Sequence, residues 1–351
     1  FASWNWKAGG TAPAITYTVK VVSDSGNKFR FDDFGTSAVT LDLQEGGTYT
    51  FDQADSSNSG HPLRFYTAAD KTGGEYTTGV TTNGTPGSSG AYTRITVAAS
   101  APALYYQCSN HANMGGQANT NSTFGSSNFS GSIQSTVSVN STAGFSIVKW
   151  TGTGSSGTIG HGLGAKPDIL FVKRLDSTNW SVYYDLVDGS NDYLKLNATD
   201  AKADSSNPVP TTSVFQKTDT NGVGVIAYCF TSKTGYSKIG SYLGNNNSNG
   251  TTVYTGFKPT FLMIKYTGSG QNWIIIDSKR PGYNLISAGD SQNLRPNTND
   301  AEVTSNGIDL LSNGFKCRSS DGDSNGYTTS YIYMAFGQSL VGSNNVPATA
   351  R

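Results

Sequence analysis

The chain is poor in charge, in sulfur and in histidine. Only 14% of its 351 residues are Asp, Glu, Lys or Arg, and 24 basic residues balance 24 acidic ones to a net charge of zero. A chain so balanced lacks the electrostatic footprint of a nucleic-acid or anionic-membrane binder, so neither partner is expected. No apolar run approaches the roughly 18 residues of a membrane-spanning helix, so no span is expected. Cysteine, histidine and methionine number three each. Three cysteines are too few, and odd in number, for a disulfide framework. A bridge between Cys229, in VIAYCF, and Cys317, in GFKCRS, stays open, but each reads more simply as a small buried hydrophobe.

What is abundant is glycine, 42 residues, and tyrosine, 19, with polarity carried by Ser, Thr and Asn. Short β-branched and aromatic runs broken by Gly and Asn point to an all-β protein, and the length suits two domains. The sequence opens at Phe1 without a signal peptide, and is expected to be a processed product or fragment of a longer polypeptide. Residues 1–10, FASWNWKAGG, place Trp4 and Trp6 on one face by the strand period of two, and are expected to end a preceding module. Ile15–Val22 alternates apolar and polar residues, as a half-buried strand does. Strands are also expected at Phe29–Phe31, Val39–Leu43, Gly47–Phe51, Arg94–Val97 and Ala103–Gln107, enough for a sandwich closed by Greek-key connections.

The scarce residues collect in one place. Leu104–Gly116, LYYQCSNHANMGG, holds Cys108, His111 and Met114 at C-x2-H-x2-M spacing, and His61 follows the strand-like run and loop upstream. One thiolate, two imidazoles and a thioether make the donor set of a mononuclear blue-copper site, with methionine as the weak axial ligand. Order and spacing resemble the cupredoxins over residues 14–117, with the short ligand loop of the amicyanin type. A Gly/Ser/Thr-rich insertion at 71–90 is untypical of that family. The resemblance implies a cupredoxin-like Greek-key sandwich in which His61, Cys108, His111 and Met114 hold copper or keep a vestigial site.

Residues 118–143 are rich in Asn, Ser, Thr and Gly and read as a linker. From 144 to 340 the sequence repeats itself. Lys166-Pro-Asp-Ile-Leu-Phe-Val-Lys173 matches Lys258-Pro-Thr-Phe-Leu-Met-Ile-Lys265, Trp180 to Asp185 matches Trp273 to Asp277, and Ile226–Phe230 matches Ile332–Phe336. A period of some 90–100 residues is too long for a solenoid, so a duplicated, lectin-like β-sandwich is expected. The two Lys-Pro strands are apolar on both faces and should be central. Residues 341–351 form a C-terminal tail.

This second region resembles a module of virion structural proteins of marine bacteriophages. Gly160-His-Gly-Leu-Gly164, Tyr254-Thr-Gly-Phe-Lys-Pro259 and Tyr331-Ile-Tyr-Met-Ala-Phe336 carry the resemblance. It implies a virion or extracellular location and a structural or adhesive role in a tail fibre or similar appendage. Partners would be other virion proteins, further copies of the chain (a trimer in a fibre) and host-surface glycan. A capsid decoration protein and a copper-carrying redox protein are the competing readings.

No enzyme is expected, and no catalytic residue is assigned. The G-x-G around His161 opens no helix and is not a dinucleotide fingerprint; His161 reads as a turn or surface residue. There is no G-x-S-x-G elbow. Asp185 and Asp277 occupy equivalent places in the repeat, not one glycosidase cleft. Asp321–Asn325 lacks the closing Glu of an EF-hand and reads as a solvated hairpin tip. Trp180 and Trp273 read as core residues.

Overall fold

A computed structural model describes residues 3–9, 12–120, 124–176, 179–280, 284, 291–305 and 307–339. The protein is all-β, with several sheets and a single 3-10 turn, at Ser56–Asn58, among the described residues. It divides into two compact units. The first draws on Phe1–Asn140, Ser146–Gly162 and Ser213–Gly222; the second on Ser141–Phe145, Leu163–Thr212 and Val223–Arg351.

The first unit contains strands β1 (Ala14–Ser23), β2 (Asn27–Phe31), β3 (Leu41–Asp42), β4 (Thr48–Asp52), β5 (Leu63–Tyr66), β6 (Val80–Asn83), β7 (Tyr92–Thr96), β8 (Leu104–Cys108), β9 (Gln117–Asn119), β10 (Ser126–Asn128) and β11 (Ser135–Asn140). One sheet runs β2-β1-β4-β7-β6 and another β3-β9-β8-β5. Alternation places Tyr17, Val19, Tyr49, Phe51 and Ile95 of the first sheet, and Leu63, Phe65, Leu104, Tyr106 and Cys108 of the second, in one hydrophobic cluster. Removing that much aromatic and aliphatic surface from water is the main favourable term holding the sheets face to face. Residues 71–90 supply β6, which pairs with β7 at the sheet's edge.

Residues 118–143 are not a linker. They contribute β10 and β11, which pair antiparallel, and Phe129 lies in the first unit's core against Tyr17, Phe31 and Phe34, with ring centroids 5.4–5.9 Å apart. The domain expected at 144–340 gives 146–162 and 213–222 to the first unit. Residues 3–9 form no strand, although Trp4 and Trp6 are both half-buried. The tail at 341–351 lies outside the described residues.

In the second unit the duplication is visible in register. Strand Ile169–Arg174 lies between Trp180–Tyr184 and Gly224–Phe230, and strand Phe257–Tyr266 lies between Trp273–Asp277 and Ser330–Ser339. Both Lys-Pro strands are therefore central. Ile169 faces Tyr184 and Phe230, as Phe261 faces Asp277 and Phe336. Lys173 faces Trp180, as Lys265 faces Trp273. Within the first unit Phe215 pairs with Ile159, as Phe315 pairs with Val253 in the second.

The register moves one equivalence by a residue: Asp277 corresponds to Tyr184, not Asp185. Successive strand residues point to opposite faces, so the two aspartates are not counterparts. Asp185 pairs with Lys166 and Asp277 with Arg280. Trp273 is core, its indole donating to the Lys195 carbonyl at 2.9 Å, whereas Trp180 is half-buried and stacks on Tyr228. The Asp321–Asn325 turn is not a solvated tip. Asp323, Ser324 and Asn325 are buried, and Asp323 accepts from Asn272 N at 2.7 Å and pairs with Arg295 at 3.1 Å. All three cysteines are buried, and none is joined to another by a disulfide.

Candidate metal centre

His61 and Cys108 are brought together by the pairing of β5 with β8, in which Leu63 lies opposite Cys108. The strands are direct neighbours, so a metal held by both residues would staple adjacent strands. The chain reaches His61 through the Ser56–Asn58 turn, with His61 N donating to Asn58 O at 2.8 Å and Gly60 at φ +75°. Gln53 fixes the approach: its amide donates to His61 O at 2.9 Å and its carbonyl accepts from Leu63 N at 3.1 Å. Asn58, fully buried, donates to Val19 O at 2.7 Å and anchors the turn to β1.

Cys108 is the last residue of β8, and the loop it opens returns to β9. Ser109 N donates to Pro62 O at 3.0 Å, and Asn110 Nδ2 to Gly60 O at 3.0 Å, tying this loop to the one bearing His61. Asn113 turns the chain with φ +58°, a region that asparagine tolerates better than most residues. Gln107 Oε1 accepts from Met114 N and Gly115 N, both at 3.1 Å, and Phe29 N donates to Met114 O at 2.8 Å. At Gly115 a Cβ would lie 1.6 Å from Tyr106 O, so only glycine lets the chain turn back this closely.

Cys108 Sγ lies 3.5 Å from His111 Nδ1 and 3.8 Å from His61 Nδ1, and one ligand atom from each of the three residues lies within 4.8 Å of the others. The two imidazoles sit with centroids 4.6 Å apart and planes at 47°. An ion bonded to a thiolate and an imidazole at about 2.0–2.3 Å leaves those donors at most about 4.4 Å apart. Both sulfur–nitrogen distances satisfy that bound, so the donors fit a metal as they stand. Cys108 is fully buried, His61 half-buried and His111 exposed, which leaves the site open at His111. Met114 is buried in the same hydrophobic cluster as Cys108. Burial first, and the neighbouring His111 second, hold His61 below the usual histidine pKa. Both effects favour the neutral imidazole, the form that binds metal.

The family described as Domain of unknown function (DUF7483) matches residues 106–339, two thirds of the chain. The chain belongs to that family. The DUF7483 match takes in Cys108, His111 and Met114 and the repeat, while His61 precedes it. No curated protein and no solved structure matches the chain.

His161, the third histidine of this DUF7483 protein, is no part of the cluster. It was expected at a turn or surface, yet it is fully buried and its ring lies parallel to Phe215. Sequence reasoning missed the residues that hold the ligand loops. Gln53, Gln107 and Asn110 act through single side-chain amides placed by tertiary contacts. Lys71 Nζ donates to the carbonyls of Cys108, Ser109 and His111 at 3.1, 3.2 and 3.4 Å. No local pattern marks a lysine in a polar stretch as a partner of a loop some forty residues away.

Proposed function

We propose that the first unit binds one copper ion through His61, Cys108 and His111, with Met114 as the weak fourth ligand, in a sandwich of the cupredoxin type. The observation that carries this is the convergence of a thiol and two imidazoles at 3.5 and 3.8 Å on loops already held by amide side chains. Copper held there would supply one-electron chemistry between Cu(I) and Cu(II), for which soft sulfur and imidazole together are suited. Cys108 supplies the thiolate, His61 and His111 supply neutral imidazole nitrogens, and the hydrophobic cluster keeps water from the sulfur side. Titrating the metal-free protein with Cu(II) is expected to give an intense thiolate-to-copper absorption that saturates at about one copper per chain. In Cys108→Ser the band should be absent and affinity should fall by more than the ~10–100-fold seen for partners outside the coordination sphere. Equal copper binding by that variant sinks the proposal.

The second unit we read as structural and adhesive, within a virion appendage that carries further copies of the chain and presents this unit to host-surface glycan. The resemblance to virion proteins motivates that reading, and one surface feature favours it. Tyr327, 39% exposed, stacks on Tyr266 with centroids 4.3 Å apart and planes at 15°, and its hydroxyl accepts from Gln271 Nε2 at 2.9 Å. An aromatic face flanked by an amide suits a sugar ring and its hydroxyls. A glycan array is expected to reveal surface polysaccharides that bind the protein and bind Tyr327→Ala at least tenfold more weakly. Binding to none of them, or equally by the variant, contradicts the adhesive role.

A further inference from the structure

We infer that Lys71 is a positioning residue of the copper site: its ammonium clamps the ligand loop and sets a fixed positive charge beside the donors, biasing the site toward the monovalent ion. The inference rests on the copper reading and adds the residue that tunes it.

Three observations carry it. The Lys71 ammonium is shared among the carbonyls of Cys108, Ser109 and His111, so one side chain spans the backbone from the first loop ligand to the second. Its three donors match these three carbonyl acceptors. Secondly, Lys71 is in no ion pair among the described residues, whereas Lys20, Lys166, Lys195 and Lys202 each pair with carboxylates. Carbonyl dipoles orient the ammonium without cancelling its charge. Thirdly, the Lys71 backbone sits at φ +67°, where lysine is strained and glycine or asparagine is at ease. Backbone geometry alone therefore does not account for a lysine at this turn. The side chain, placed by residues 71–90, gives that segment a role in the site.

The electrostatic consequence has a definite sign. Copper bound to one thiolate carries one more unit of positive charge when oxidised than when reduced. A fixed ammonium within hydrogen-bond range of the ligand residues' own carbonyls opposes the oxidised state and favours Cu(I). At that range, in a medium of intermediate dielectric, charge–charge terms amount to about one decade or more in an equilibrium constant.

Lys71→Asn removes the charge and is too short to span the loop, yet suits the left-handed backbone, so folding is not put at risk. Lys71→Arg keeps the charge and serves as the rescue. In the metal-free protein, amide hydrogen exchange across Ser109–Asn113 is expected to quicken about tenfold in Lys71→Asn and to stay near wild type in Lys71→Arg. With copper, the ratio of Cu(I) to Cu(II) affinity should fall about tenfold in Lys71→Asn, a drop of about 59 mV in potential. Unchanged exchange, or equal weakening of both oxidation states with the potential unmoved, overturns the inference. If wild type gives no thiolate-to-copper band, the copper reading fails. Exchange alone then decides the clamp, faster exchange in Lys71→Asn keeping it and unchanged exchange sinking it.

Discussion

Phe129→Ala is expected to destabilise the first unit by about 3–5 kcal/mol, the usual cost of truncating a buried phenylalanine. Phe129 is 6% exposed and packs against Tyr17, Phe31 and Phe34. Its ring fills space between side chains that cannot all collapse inward, so the loss combines transfer and cavity terms. Urea unfolding followed by tyrosine fluorescence measures it. A change below about 1 kcal/mol would mean that Phe129 is not part of the core, since surface substitutions generally fall within about 0.5 kcal/mol.

The second large effect lies at Lys265, whose side chain is fully buried. Burial pushes its pKa down to about 8, against a weaker opposing pull from Asp323 and Asp200. Between pH 8 and 10.5 the folded protein gives up this proton while the unfolded chain keeps it, so folding stability from this group rises with pH across that window. The displacement corresponds to about 3 kcal/mol. Below pH 8 both states hold the proton and the unfavourable contribution is constant. The buried tyrosines titrate in the opposite sense, since burial raises the pKa of Tyr242 and Tyr331. The comparison is therefore with Lys265→Met, whose stability curve should lack the rise. Parallel curves for the two proteins would contradict the assignment. In the first half of the repeat the same register position holds Lys173, which is half-buried.

Much of this architecture was legible because its signals are local. Alternation in Ile15–Val22 and Gly47–Phe51 marks β1 and β4, and apolar runs on both faces mark the two central Lys-Pro strands. The C-x2-H-x2-M spacing marks the loop where Cys108 and His111 meet His61. The linker reading of 118–143 failed because its polar residues are used inside the fold. Ser126 Oγ lies 2.6 Å from Tyr49 OH, Ser127 O accepts from Tyr17 OH at 2.8 Å, and Ser127 Oγ accepts from Asp42 N at 2.8 Å. A buried serine with a partner is tolerated, and composition does not distinguish it from a solvated one. The slip between Asp185 and Asp277 has a different cause. Matching residue types along a strand leaves the register open by one, and one residue exchanges the faces. Lys71 was out of reach because its partners are backbone carbonyls brought near by the tertiary fold.

Copper K-edge X-ray absorption on the loaded protein tests the central claim most directly, because it reads the donor atoms themselves. The account predicts one short sulfur and two imidazole nitrogens in the first shell, at about 2.0–2.3 Å, with the sulfur lost in Cys108→Ser and one imidazole lost in His61→Ala. A shell of nitrogen and oxygen alone, or one unaltered by either substitution, would place the copper elsewhere and contradict the account.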